Sequence, residues 1–454
     1  MSAADAALDA RIPLACCLGM LAVGVNGTAI MAALPTMRAD LSLDAEAVTW
    51  AVNSYLLASA ACIILGGRAS DWVGARRVAL AGLILFGAAS AVIALATGPA
   101  TLLTGRAAQG LGAAFAVPAT LACIGQAADP SRRSAALSAW AGALMLGFSL
   151  GPLVGGAATH LLGWRSVFVC TALALAAAAI ALSTARAEAP PAAPRPSHLD
   201  AAGFALLATL MVSAVLALNG LPRAGQAPLH VAVPLAAAAA ASALFVGMER
   251  RAADPFVDLA GIRRSPLFLR AAAIGAVAMF CILSTLLYFN IDAQGEAGLG
   301  LTPVGAGLML LPLSVGLFAL SRLAPRVVRR LGPAGALSGA LVVVALACGA
   351  IAAAAYLRSE AILAVGLFLF GAGLAVPYAT APHLALAALP PEAAGQSAGL
   401  INACTFLGGS FGVTGGAILY PLAGLSGVLG LVAAAALAGA ALARSLPRTA
   451  DEGP

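Results

Sequence analysis

Residues 101–123, TLLTGRAAQGLGAAFAVPATLAC, form an apolar run that contains a single charged side chain, Arg106. About 20 such residues suffice for a helix that crosses a bilayer. The pattern recurs along the chain, because 62% of its 454 residues are hydrophobic and only 9% are charged. A soluble domain carries about 25% charged residues. The composition therefore predicts an all-α membrane protein and excludes a soluble enzyme, a disordered chain and a nucleic-acid-binding protein.

Apolar runs bounded by charged residues, Gly or Pro predict fourteen transmembrane helices. They cover residues 13–35, 46–66, 77–97, 101–123, 135–157, 165–185, 200–219, 229–248, 267–290, 303–321, 333–355, 360–380, 393–417 and 421–443. With a cytoplasmic N-terminus, nineteen of the 24 arginines fall in inner segments, four in outer segments and Arg106 within a span. Positive side chains favour the cytoplasmic side. This bias supports fourteen spans with both termini in the cytoplasm.

Two polar breaks divide the spans into groups of six, two and six. The first break is proline-rich, which disfavours a continuous helix and predicts an extended cytoplasmic linker. The predicted parts are an N-terminal bundle 1–185, a linker 186–199, two inserted helices 200–248, a loop 249–266, a C-terminal bundle 267–446 and a tail 447–454. A layout of two six-helix halves is typical of secondary transporters, which are built from structural repeats.

The loop between the second and third spans reads GRASDWVGARR, residues 67–77. Gly67 and Gly74 favour a tight turn, while Asp71 can engage a helix N-terminus and Arg76 and Arg77 can form charged hydrogen bonds. The stretch resembles the cytoplasmic loop signature of the major facilitator superfamily, although Ala75 stands where that family usually has a basic residue. The resemblance implies a gating role for Asp71 and a conformational latch formed by the glycines and arginines. The alternative is an ordinary positively charged inner loop.

Arg106 is the one charged residue that lies clearly inside a predicted span and not at its end. An arginine within the bilayer is costly and is generally functional. Together with Gln109 and Gly110 it resembles the R-x-x-Q-G signature of the same superfamily, in which this arginine is tied to proton movement. The resemblance implies that Arg106 acts in coupling and that Gln109 lines the substrate cavity. The alternative is an arginine near the helix start whose side chain extends to the membrane surface.

The fifth span contains GALMLGFSLGPLVGG, residues 142–156. Small residues four apart allow helices to approach closely, and Pro152 removes a backbone hydrogen bond and favours a kink. The segment resembles the G-x-x-x-G-P-x-x-G-G signature that marks exporters in the superfamily. The resemblance implies an external gate at Gly151 and Pro152. A generic packing face of small residues is the alternative.

Nearly the whole chain, residues 13–443, resembles the fourteen-helix drug:proton antiporter family of this superfamily. One difference lies in VNGTAIMAALPTM, residues 25–37, where Asn26 replaces the family's proton-carrying aspartate. An asparagine cannot titrate, although it can bind a substrate. Asp292, at the outer end of the ninth span, is the candidate for a proton carrier elsewhere. A position in a solvated outer loop is the alternative for Asp292.

The predicted substrate cavity is lined by four side chains: Asn26, Tyr55, Gln109 and Asn402. Tyr55 could instead anchor its helix at the interface, and Asn402 could hydrogen-bond a neighbouring helix. Few polar groups occur in the spans, which favours an amphipathic or lipophilic cargo. Because the spans lack a central carboxylate, we expect dications to be recognised poorly compared with neutral or anionic lipophiles.

The resemblance implies a multidrug-efflux type of exporter in a bacterial inner membrane. It would be monomeric, would work by alternating access and would use the proton gradient without a cofactor or metal. Its partners would be a lipophilic small molecule, protons and the bilayer. Two other readings stay open: a facilitator or differently coupled transporter of the same fold, and a membrane receptor or scaffold that no longer transports. No ATP-binding loop or enzyme-like group of residues is visible.

Overall fold

The computed structural model describes residues 11–127, 130–185, 201–221, 225–251, 259–296, 298–357, 359–389 and 394–446. In these ranges the chain is helical and contains no strand. The first six helices are α1 (Arg11–Asp40), α2 (Ala45–Val73), α3 (Ala75–Ala94), α4 (Pro99–Ala127), α5 (Pro130–Leu162) and α6 (Arg165–Thr184). They are followed by α7 (Ala201–Gly220), α8 (Leu229–Glu249), the short α9 (Leu259–Arg264) and α10 (Pro266–Gln294). The last helices are α11 (Pro303–Met309), α12 (Leu311–Ser321), α13 (Ala324–Leu357), α14 (Glu360–Ala387) and α15 (Ala394–Arg444).

The predicted number of membrane spans is confirmed once the kink in the last helix is considered. Thirteen helical segments of the described chain are long and apolar enough to cross a membrane, and the last of them is 47 residues long. That segment is broken at Ala423 and Gly424, whose backbone angles are not helical. The two parts on either side of the break correspond to the predicted spans 393–417 and 421–443. Fourteen spans result.

Two other helices are interrupted where the sequence contains proline. The predicted span 303–321 is divided at Leu310 into α11 and α12, because Pro312 has no N–H to continue the hydrogen-bond ladder. Within α13, Gly332 has a φ of 69° and precedes Pro333. The predicted start of the eleventh span at residue 333 therefore coincides with a real break. Helical structure before that break extends back to Ala324.

The starts of α2 and α10 are capped by side chains. Asp44 accepts a 2.7 Å hydrogen bond from the Ala47 N–H at the start of α2. Ser265 accepts one of 3.3 Å from the Phe268 N–H, with Pro266 at the first position of α10. These side-chain oxygens satisfy backbone donors that a helix N-terminus leaves unpaired. Most helices are longer than the predicted spans, because polar end turns continue beyond the apolar run.

The helices group into two compact units. The first comprises Met1–Leu199 and Leu301–Gly307, and the second comprises Asp200–Gly300 and Leu308–Pro454. The six helices α1–α6 thus belong to the first unit, and the pair α7 and α8 groups with the later helices. The division into six, two and six helices stays a prediction.

Glycine faces hold helices together in both units. In the first unit, Cβ atoms at Gly147 and Gly155 of α5 would lie 2.6 Å from the Leu21 carbonyl oxygen and the Ala29 Cα atom of α1. In the second unit, Gly408 and Gly412 of α15, which are four residues apart, approach the backbone of α10 in the same way. At such separations only a hydrogen fits, so the helix backbones touch directly. The fold of each unit depends on these small residues.

Candidate substrate and coupling sites

Arg106 lies inside the first unit and does not extend to the membrane surface, since its side chain is 0% exposed. Its Nε donates a 2.8 Å hydrogen bond to the carbonyl oxygen of Ala51 in α2. Its Nη1 donates to Gln109 Oε1 at 2.7 Å and to Asn26 Oδ1 at 3.3 Å. The guanidinium group therefore links its own helix to α1 and α2.

Two further hydroxyl groups extend this arrangement to α3 and α6. Gln109 Nε2 donates to Ser90 Oγ at 2.7 Å, and Asn26 Nδ2 donates to Thr171 Oγ1 at 3.2 Å. The hydroxyl groups of the serine and the threonine in turn donate hydrogen bonds to backbone carbonyls four residues earlier in their helices. We call Asn26, Tyr55, Ser90, Arg106, Gln109 and Thr171 the Arg106 network. It connects five of the six helices α1–α6.

The aromatic ring of Tyr55 completes the surroundings of the arginine. The guanidinium carbon of Arg106 lies 4.5 Å from the ring centroid, within the range of a cation–π interaction. Tyr55 is buried and also packs edge-on against Phe86 at 6.2 Å. Three residues that the sequence predicted for the substrate cavity, Asn26, Tyr55 and Gln109, thus surround one buried charge. Their predicted role in substrate binding stays a prediction.

The network is held in place by a close approach of α2 and α4. A Cβ atom at Gly110 would lie 2.9 Å from the Ala58 Cβ atom and would collide with the carbonyl oxygen of Tyr55. Ser59 donates a 3.1 Å hydrogen bond to the Gly110 carbonyl oxygen. The glycine that follows Gln109 therefore has a steric function: it lets the arginine reach the backbone of α2.

The loop residues predicted to form a latch occupy different environments. Gly74, with a φ of 100°, is both the last cap of α2 and the first cap of α3, and this conformation favours glycine. Gly67 lies within α2, and a Cβ atom there would meet open space. Asp71 and Arg77 are exposed. Among these predicted loop residues, Gly74 alone has a backbone conformation that favours glycine.

Arg76 binds the end of α6. Its guanidinium group donates to the carbonyl oxygens of Leu182, Ser183 and Ala185 at 3.1, 2.8 and 2.5 Å. These carbonyls belong to the last helical turn, whose acceptors lack partners within the helix and carry partial negative charge. Arg76 thus joins the first turn of α3 to the last turn of α6.

The predicted gate segment of α5 contacts α1 and the start of α11, all within the first unit. A Cβ atom at Gly151 would lie 2.8 Å from the Val25 carbonyl oxygen and would collide with Thr28 Oγ1. Thr28 itself donates a 3.0 Å hydrogen bond to the Phe148 carbonyl oxygen. A Cβ atom at Gly307 would lie 2.7 Å from the Pro152 carbonyl oxygen. The segment is a close-packed face, and its role as a gate stays a prediction.

A cluster that was not predicted from the sequence lies where the end of α1 meets the start of α6. Arg76 binds the other end of α6. Arg165 Nη1 forms a 2.7 Å ion pair with Asp40 Oδ2, which also accepts a 3.0 Å hydrogen bond from Trp164 Nε1. Arg165 Nη2 donates to the Ala96 carbonyl oxygen at 3.0 Å. The cluster fastens the end of α1 and the turn after α3 to the start of α6.

Asp292 lies near the end of α10, in the second unit, and is partly buried. Tyr420 of α15 donates a 3.3 Å hydrogen bond to Asp292 Oδ1. The rings of Tyr420 and Tyr288 are 5.4 Å apart, and Tyr288 donates a 2.7 Å bond to the Val413 carbonyl oxygen. Glu296, four residues further along, is exposed. Asp292 is therefore held by a second helix, unlike a freely solvated loop acid.

Asn402, the fourth predicted cavity residue, belongs to the second unit. It is partly exposed, and its amide donates a 2.8 Å hydrogen bond to the Ala398 carbonyl oxygen one turn earlier in α15. This bond stays within its own helix. It does not resemble the interhelical bonds made by Asn26.

Comparison with known proteins gives the family. The Major Facilitator Superfamily model matches residues 16–413. This chain belongs to the major facilitator superfamily. The multidrug resistance protein Stp of Mycobacterium tuberculosis is 30% identical over 400 residues, which cover 87% of this chain and 73% of Stp. The drug efflux pump JefA of the same species is 32% identical over 87% of this chain and 77% of its own length.

The chain is also similar to an antibiotic export protein and to transporters of known structure. The tetracenomycin C resistance and export protein of Streptomyces glaucescens is 29% identical over 88% of this chain and 73% of its own length. A crystal structure of the peptide transporter POT in complex with sulfate superposes with a TM-score of 0.71 at 17% identity, covering 95% and 93% of the two chains. The human organic anion transporter MFSD10 gives 0.66 at 20% identity, covering 96% and 99%. These structural similarities concern the fold.

The predicted resemblance to the superfamily is thus confirmed, as is the all-α membrane fold. As a superfamily member, the chain is a multi-pass membrane protein of a family of small-molecule transporters. Its structure offers two polar centres within the described helices: a buried cation with neutral hydrogen-bond acceptors around Arg106, and a carboxylate held by tyrosine at Asp292.

Proposed function

We propose that this protein exports lipophilic small molecules from a bacterial cytoplasm across the inner membrane and that inward proton movement drives the export. The observation that carries the proposal is the fully buried Arg106, bonded to three helices. A buried charge in a membrane bundle is costly and is generally retained for function. The similarity to multidrug resistance and antibiotic export proteins supports the direction of transport.

Alternating access would require the six-helix bundles 1–185 and 267–446 to change position while the membrane seal is kept. The glycine face of α5 supports such a movement of whole bundles, because its direct backbone contact with α1 lets the two helices move together as a pair. We assign the outer gate to Gly151 and Pro152, a gating role to Asp71, and the inner latch to Gly67, Gly74, Arg76 and Arg77. The bond of Arg76 to the end of α6 supports a latch that holds the first bundle together.

Asp292 is the proposed proton carrier. Asn26 cannot titrate, and its amide forms hydrogen bonds with Arg106 and Thr171. A carboxyl group such as that of Asp292 can exist in a protonated and an ionised form, and Tyr420 fixes its position by donating a hydrogen bond to Oδ1. Its partly buried position supports a role that an exposed acid such as Glu296 could not fill. Substrate contacts are assigned to Asn26, Tyr55, Gln109 and Asn402.

The remaining parts of the proposal concern the setting of the protein. The arginine distribution supports cytoplasmic N- and C-termini, and the bacterial relatives support an inner-membrane location. We propose a monomer that binds no nucleic acid, catalyses no covalent reaction and needs no cofactor besides the proton gradient.

A second candidate function is an uncoupled facilitator, and Asn26 in place of an aspartate favours it. Efflux of the neutral dye Nile red from proteoliposomes separates the two. We expect an acidic bath to accelerate efflux by wild type, and we expect Arg106→Ala to abolish the acceleration. Gln126→Glu, an exposed change on the same helix, is the control and should behave as wild type. Efflux that ignores the gradient in wild type but follows it in Asn26→Asp would establish the facilitator instead.

A further inference from the structure

The positive charge of Arg106 has no carboxylate partner among the described residues. Its hydrogen bonds go to a backbone carbonyl and to the side-chain amides of Asn26 and Gln109. The ion pair recorded in the described chain, Asp40 with Arg165, lies elsewhere, at partly exposed ends of helices. Dipoles surround the Arg106 charge, but no anion among these residues neutralises it.

An unneutralised charge in a low-dielectric interior acts over several ångströms. Coulomb interactions weaken with distance and dielectric constant, and the interior of a membrane bundle screens them far less than water does. Fixed arginines in membrane pores exclude cations for this reason. A ligand near α1 and α4 therefore experiences the charge of Arg106 without a direct contact.

We infer that this exporter selects acidic over cationic lipophiles and that the buried charge of Arg106 is the cause. The inference rests on the proposed export function and adds the substrate class: an amphipathic molecule with an ionised acid group. An incoming anion gains favourable interaction with the charge, whereas a cation of the same size and apolarity is repelled. Neutral molecules fall between the two.

The structure identifies the substitution that isolates the charge effect. Asn26 Oδ1 lies 3.3 Å from Arg106 Nη1, so Asn26→Asp places a carboxylate beside the guanidinium group and preserves the side-chain shape. The local charge becomes neutral while the arginine stays. Gln109→Glu does the same from a second position, 2.7 Å from the same nitrogen. Gln126→Glu adds the same charge at an exposed site of α4 and is the control.

The test uses three dansyl probes with one alkyl chain that ends in a sulfonate, a primary amide or a trimethylammonium group. Their Kd values are measured by fluorescence on the purified full chain in detergent, for wild type and for each variant. Nile red efflux in vesicles and the thermal unfolding midpoint are recorded for each protein. The permanent charges of two probes remove any effect of probe titration.

We expect wild type to bind the sulfonate at least about tenfold more tightly than the trimethylammonium probe. Asn26→Asp and Gln109→Glu should each reduce this ratio about tenfold or more, because the ratio compares two probes on the same protein and a general change in affinity cancels. Gln126→Glu should keep the wild-type ratio. If one of the two variants is unfolded, the other decides.

Two results would overturn the inference while the proposed export function survives. One is Nile red efflux by a wild-type protein that does not prefer the sulfonate probe. The other is a sulfonate preference that persists in both folded carboxylate variants, because the charge of Arg106 would then not be its cause. Absence of Nile red efflux together with absence of binding of all three probes would contradict the export function and the inference with it.

Discussion

The side-chain oxygen of Asn26 accepts a hydrogen bond from Nη1 of Arg106, 80 residues later in the chain, at 3.3 Å. The same amide donates to Thr171 Oγ1 at 3.2 Å. Asn26 thus uses both ends of its amide to connect α1 with α4 and α6. A residue that interrupts the family pattern at the level of sequence is a structural centre of the first unit.

Replacement of Asn26 by leucine should destabilise the first unit. The change removes one acceptor of the buried Arg106 and the donor to Thr171, at a cost of about 1–2 kcal/mol. The thermal unfolding midpoint in detergent should fall by several degrees. Asn402→Leu is the matched control, because among the described residues the Asn402 amide bonds to Ala398 of its own helix and to no other helix. If the unfolding midpoint shifts equally in the two variants, the interhelical hydrogen bonds of Asn26 do not stabilise the first unit.

Gly151→Ala should impair folding or transport, since the new Cβ atom would collide with Thr28 and the Val25 carbonyl oxygen of α1. Overpacking of this kind costs about 1–3 kcal/mol. Gly142→Ala, on the same helix but facing open space, should be tolerated. The measurements are the amount of folded protein in membranes and Nile red efflux. A fully active Gly151→Ala protein would disprove the close contact between α5 and α1.

Alanine substitutions at Gly74 and Gly67 should change the stability of the protein in opposite directions. Gly74→Ala forces a φ of 100° on a residue with a Cβ atom, which costs about 1–2 kcal/mol. Gly67→Ala replaces a helical glycine in open space and should stabilise by about 0.5–1 kcal/mol. Unfolding midpoints of the two variants test this. A shift in the same direction would contradict the assigned backbone conformation.

Arg76→Gln should loosen the end of α6, whereas Arg77→Gln should not. Arg76 donates to three carbonyls there, and loss of these charged bonds should cost about 1–2 kcal/mol. Arg77 is exposed. Hydrogen exchange of the backbone at residues 180–185 should accelerate in Arg76→Gln alone. Unchanged exchange there would mean that Arg76 does not cap α6.

The spans and the polar residues within them were predictable from the sequence. Apolar length and arginine bias predicted fourteen spans, and R-x-x-Q-G indicated Arg106 and Gln109. The sequence left open whether Arg106 is buried or reaches the membrane surface. The answer depends on Gly110, whose close contact with Tyr55 brings α2 within reach of the guanidinium group. That contact joins residues far apart in the chain.

Ser90, Thr171 and Asp40 had no usable local signal in the sequence. Ser90 and Thr171 are single hydroxyl residues in apolar runs, and most such residues only bond to their own helix. Asp40 reads as an ordinary acid at a helix end, although it pairs with Arg165 across 125 residues. The tandem Trp164-Arg165 was a usable hint, since both side chains donate hydrogen bonds and need an acceptor. Such partners follow from how the helices pack, which periodicity alone does not determine.

The most direct test of the central claim is proton movement coupled to substrate export at Asp292. Proteoliposomes are loaded with pyranine and Nile red, and the lumen pH is followed while the dye leaves. Three proteins are compared: wild type, Asp292→Asn and, as a matched control, Glu296→Gln, which removes an exposed acid four residues away. We predict that dye efflux acidifies the lumen in wild type and in Glu296→Gln, and that Asp292→Asn abolishes the acidification. Dye-dependent acidification that persists in Asp292→Asn would contradict the account.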